Sequence, residues 1–121
     1  MDKDYVMQVA DTARQQLLAT TPMNVILSWG IDKFFATVYK EMPALMFKAN
    51  RRLHKGNVII AFNDLDYYEV YLQSPNKTQL VSDEVYFDEL GELIDRHIEK
   101  GTDKKEYERF CEQEFIKLIN G

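Results

Sequence analysis

The sequence predicts an α+β fold: an N-terminal helix, an antiparallel sheet of about four strands joined as a meander, and two C-terminal helices. Three observations predict it. Residues 2–20 place apolar side chains at the three-and-four spacing of a helix, and residues 31–73 hold short aromatic and β-branched runs broken by turn residues. After residue 83 the helical spacing returns.

The first helix carries Val6, Val9, Ala10, Ala13 and Leu17 on one stripe, with Asp2 and Asp4 at its dipole-positive start. It stops at TTP, because Pro22 lacks a donor and drives Thr21 out of helical angles. The run GIDKFFATVYKEMP fits a helical stripe and a strand equally well. Its neighbours ALMFKAN, NVIIAFN and YYEVYLQ favour the strand, since adjacent short strands form a meander most simply.

The last two runs define a hairpin with Asp64, Leu65 and Asp66 as its loop and Asn63 facing Tyr67. One face then pairs Phe62 with Tyr68, Ile60 with Val70 and Val58 with Leu72, and the other pairs Ala61 with Glu69 and Ile59 with Tyr71. QSPNKTQ reads as a turn. Beyond it Leu90, Leu93, Ile94, His97 and Ile98 form a helical stripe capped by Asp83 or Asp88 and stopped at Gly101. A final helix from about Asp103 to Leu118 presents Tyr107, Phe110, Cys111, Phe115 and Leu118, with Asp103 and Glu106 at capping-box spacing.

The chain of 121 residues has room for one core, so residues 1–121 read as a single domain. Its start lacks the basic and apolar regions of a secretory leader, and no apolar run is long enough for a bilayer, so a cytoplasmic location is expected. The single Cys111 reads as a small buried apolar side chain. A net charge of -5 opposes general binding to polyanions, and residues from Asp83 onward hold twelve of the 20 acidic groups.

Against that background KANRRLHKGN, residues 48–57, is the one basic knot. Lys48, Arg51, Arg52 and Lys55, with Tyr67 and Tyr71, are candidates for contact with an anion or a nucleic acid, because cations beside exposed rings suit phosphates and unstacked bases. No phosphate-binding motif is present, and an ordinary solvated hairpin explains the same charges. The outer sheet face, with Ile59, Glu69 and Tyr71, is the candidate partner surface, alternatively a set of ordinary cross-strand pairs.

No catalytic constellation is recognisable. Asp64 and Asp66 are usual turn residues, His97 sits on an apolar stripe, and the Cys and His spacings match no metal motif, so no metal or cofactor is expected. The runs ILSWG, LHKGNVIIAFNDLDYYEVYL and DEVYFDELGELID resemble a family of small uncharacterised proteins from bacterial phages and integrated mobile elements, over about Val25 to Glu99. That resemblance implies a cytoplasmic accessory protein without an established activity. The residues themselves point to a non-catalytic intracellular module that meets a protein partner or forms a homo-oligomer, through the sheet face or the acidic C-terminal helices. The alternative is a binder of nucleic acid or a phosphate ligand through residues 48–57.

Overall fold

The computed structural model describes residues 1–100, 109 and 111–113. Helix α1 (Lys3–Thr20) and a short α2 (Met23–Ser28) precede strands β1 (Phe34–Tyr39), β2 (Met42–Asn50), β3 (Lys55–Phe62), β4 (Tyr68–Gln73) and β5 (Thr78–Val85). A single 3-10 turn, Phe87–Glu89, then leads into α3 (Leu90–Asp95), which continues through Lys100 with π-type bonding. The second expected C-terminal helix falls mostly on residues outside those described.

The sheet is an antiparallel meander in the order β1-β2-β3-β4-β5, five strands where the sequence predicted about four. The expected β3–β4 register is found in full, from Phe62 opposite Tyr68 to Val58 opposite Leu72. The ambiguous segment 31–42 contributes β1 and its turn into β2. The added strand β5 lies where Asp83 was expected as a helix cap. Its Ser82-Asp83-Glu84 run suits strands poorly, and two register shifts against β4 disturb its alternation. The helix begins instead at Tyr86, whose backbone N–H donates to the Glu89 carboxylate at 3.0 Å.

One face of the sheet packs on α1. Asp2 caps that helix by accepting from Asp4 N–H at 3.0 Å, and Val6, Ala10, Ala13 and Leu17 are buried as the stripe requires. Ala10, Ala13 and Leu17 share one cluster with Leu45, Phe47, Val58, Ile60, Val70 and Leu72 from the strands and with Leu90, Ile94 and Ile98. Phe62 packs at the margin of this core and stays half-buried. Trp29 is fully buried, stacked on Phe47 with centroids 5.9 Å apart and rings 3° from parallel. No described helix is long and apolar enough to cross a membrane.

Candidate functional site

Alternation along the strands sends Ala44, Met46, Ile59, Ala61 and Tyr71 to the face opposite α1, and they form a second apolar cluster with Tyr39 and Met42. None of the described helices lies on it. Ile59 and Tyr71, expected at a partner surface, are 2% and 4% exposed, so they make the floor of this face rather than its contact surface. The Tyr39 ring stands edge-on to Tyr71 at 4.7 Å, and the Lys40 ammonium lies 5.0 Å from the Tyr71 ring centre. Tyr71 donates its hydroxyl proton to Glu69 at 2.6 Å. Burial, and then the Glu69 carboxylate, push its pKa far above the ordinary phenol value, so Tyr71 remains a neutral donor. Phe35 and Leu80 are more open, at 40% and 47%, and Lys33 sits 5.3 Å over the Phe35 ring. The accessible part of the face is therefore aromatic and aliphatic, with ammonium groups from Lys33, Lys40 and Lys48 along β1 and β2 and the carboxylates of Glu69 and Asp83 on the β4–β5 side.

The basic knot holds the C-terminal end of the helix that continues α3. Arg52 Nε donates to the Glu99 carbonyl at 3.0 Å, and Leu53 N–H donates to that of Ile98 at 2.9 Å, meeting orphan carbonyls at the helix end. Arg51 acts on Glu99 electrostatically and its Nε is buried without a hydrogen bond, as is Glu99 Oε2. At the other end of β3, Tyr67 lies edge-on to Tyr86 at 5.2 Å. Lys55 and Tyr67 flank opposite ends of a strand roughly 23 Å long, at about 3.3 Å per residue. The structure thus scatters Lys48, Arg51, Arg52, Lys55, Tyr67 and Tyr71 over three places instead of gathering them into one site.

Burial raises the Glu99 pKa, with Arg51 opposing and Asp95 assisting. A carboxyl whose folded pKa exceeds its unfolded value binds its proton more tightly in the folded state, so its penalty is absent at low pH and grows as pH rises through the two values. Glu99→Gln should therefore melt above the wild type at pH 7, with the difference shrinking below the ordinary carboxyl range. Thermal melts across pH 3–8 read this, and a gap that widens on acidification would contradict the assigned burial.

Two clefts escaped the sequence reading. The first, of about 350 Å³, lies between α1 and the β3–β4 hairpin and is lined by Tyr5, Val9, Phe62, Tyr68, Tyr86 and Phe87, with Asp66 at hand. Its sequence signals are slight: Val9 on the helix stripe and the adjacent rings Tyr86 and Phe87. The second, of about 300 Å³, is lined by both histidines together with Lys55, Lys77, Ser74 and Gln79. Each histidine engages a backbone carbonyl through one ring nitrogen, His54 Nε2 with Asn57 at 3.0 Å and His97 Nδ1 with Leu93 at 2.9 Å. Lys77 also borders a neighbouring hollow with Lys48 and Gly56.

Among the described residues no group of three His, Cys, Asp or Glu side chains is placed to hold a metal. Asn63 organises the Asp64–Asp66 turn by accepting from the N–H groups of Leu65 and Tyr67. Cys111 is exposed, which corrects its reading as a core residue. Comparisons with protein-family models, curated proteins and solved structures find no match.

Proposed function

We propose that the protein is a non-catalytic binding module of the cytoplasm, whose sheet face opposite α1 receives a protein partner with apolar and acidic side chains. The observation that carries this reading is the character of that face: an apolar floor of Ala44, Ile59, Ala61 and Tyr71, flanked by accessible Phe35 and Leu80, and ringed on the β1–β2 side by lysines in a chain of net charge -5. Apolar anchors inside a charged rim suit association, and the local lysines reverse the repulsion that the whole chain presents to an acidic partner. An accessory role on a mobile element is the setting that the resemblance implies.

One observation favours a second reading. Among the described residues, the lining of the cleft that holds His54, His97, Lys55 and Lys77 has no acidic group, so it suits a phosphate-bearing ligand. The same experiment addresses both readings. The wild type and a Lys33→Glu/Lys40→Glu variant, immobilised in equal folded amounts, are exposed to host extract, and the retained protein is identified and purified. Direct titration should then show binding to the wild type at least tenfold tighter than to the variant. Equal affinity sinks the sheet-face reading. Inorganic phosphate and a single-stranded oligonucleotide are titrated in parallel, and binding that Lys55→Ala/Lys77→Ala abolishes and salt weakens moves the conclusion to the cleft.

A further inference from the structure

Strand β1 stands at one edge of the sheet, and among the described residues no strand pairs with its outer side. Its six residues, FFATVY, have no charge and no proline, and their register with β2 is unbroken. Phe35 is 40% and Val38 49% exposed. The opposite edge is different: β5 carries Asp83 and Glu84 and two register shifts, which are devices that discourage another strand from adding. We propose that β1 pairs antiparallel with β1 of a second copy about a two-fold axis through Ala36, joining two sheets into one.

The hydrogen-bonding phase of the strand supports this axis. Lys40 and Glu41, with φ of 49° and 64°, form a two-residue type I′ turn, in which the closing pair Tyr39 and Met42 exchanges both backbone bonds. Alternation then directs the backbone groups of Phe35, Thr37 and Tyr39 toward β2, and those of Phe34, Ala36 and Val38 toward the free edge. An axis through Ala36 sets Ala36 opposite its copy and Phe34 opposite the second copy's Val38, so every outward-facing group of the strand finds a partner. Directly opposed residues also share a face, so the core side of one sheet continues into the core side of the next. Moving the axis to Thr37 would bring Phe34 against Lys40 in the turn.

The helices agree with this arrangement. Because α1 lies over β1 and β2, the two α1 helices would run on the same side of the joined sheet roughly 10 Å apart, two strand spacings, which is a helix-packing distance. The flank that would face the seam carries Met7, 53% exposed, and the exposed pair Asp11 and Arg14, 2.7 Å apart. With Phe34, Phe35 and Ala36 these residues line a groove of about 290 Å³. A two-fold brings Arg14 of one copy toward Asp11 of the other, so the seam is complementary to itself in charge. The blunted β5 edges leave the assembly closed as a dimer. The pairing leaves the floor of Ala44, Ile59, Ala61 and Tyr71 untouched and only Phe35 lies beside the seam, so oligomeric state in Val38→Lys and partner affinity in Lys33→Glu/Lys40→Glu distinguish failure of one reading from failure of the other.

Sedimentation of the full chain at high micromolar concentration should show a dimer, and Val38→Lys, an edge charge at an exposed position, should give a monomer of unchanged helix and strand content. In a Cys111→Ser background, Ala36→Cys should oxidise to a covalent dimer, because opposed residues of a hydrogen-bonded pair have Cα atoms about 5.5 Å apart, within disulfide reach. A monomeric wild type overturns the proposal, as does a dimer that survives in folded Val38→Lys. Cross-linking through Thr37→Cys in preference to Ala36→Cys overturns the axis. Should Val38→Lys not fold, the cysteine pair decides the question.

Discussion

Trp29→Ala is expected to lower the free energy of unfolding by roughly 3–5 kcal/mol, the cost of truncating a large buried aromatic side chain. Trp29 has no exposed surface and lies parallel to Phe47, which Phe34 meets edge-on at 5.5 Å. Its indole N–H donates to Asp95 Oδ1 at 2.9 Å, so the side chain also ties the end of α2 to α3. Alanine would empty the ring site and remove the donor that Asp95 uses. Trp29→Phe, which keeps a six-membered ring but loses the pyrrole part of the indole and its N–H donor, should cost about 2 kcal/mol, below the alanine value. Urea titration of both variants reads the difference. Equal midpoints for wild type and alanine would show that this ring does not hold the core together.

Gly56→Ala should cost about 3 kcal/mol, through close backbone contact and an unsuitable backbone angle acting together. At φ of 151° Gly56 holds a conformation that L side chains rarely adopt, and a Cβ there would sit 2.1 Å from the Gln73 carbonyl oxygen. Neither the oxygen nor the strand that carries it can withdraw without opening the β3–β4 ladder beside Asn57 and Gln73. Gly30 offers the contrast. Its φ of 68° is also left-handed, but an added Cβ would meet the flexible Arg51 guanidinium at 3.1 Å, so Gly30→Ala should cost nearer 1 kcal/mol. Denaturant midpoints that rank the two substitutions in the opposite order would contradict the close approach at Gly56.

The hairpin of β3 and β4 was legible because alternation of apolar side chains admits one register, and a slip by a single residue would turn Ile60 and Val70 outward. The α1 stripe was legible for the equivalent helical reason. The turn at Lys40 and Glu41 was not, since it lacks the Asn-Gly or Asp-Gly residues that normally announce a type I′ bend. Lys40 instead spans the Tyr39 and Tyr71 rings, a contact between residues far apart in the chain. Strand β5 was hidden because its irregular pairing with β4 removes the period that would reveal it. Tyr71 illustrates a further gap: its pairing with Ile59 followed from the sequence, whereas its burial depends on Tyr39, which only the folded sheet brings alongside.

By itself the sequence determined the class of fold, the helix that covers the sheet, the order of the central strands and the side on which each of their side chains falls. These follow from periodicity, which acts between near neighbours along one element. The tertiary structure decided that Arg52 and Leu53 hold the end of a helix, that both histidines share a cleft, and that β1 and β5 form edges of unlike character. Such relations depend on how separate elements approach one another, and that distance is fixed by packing rather than by the spacing of residues along the chain.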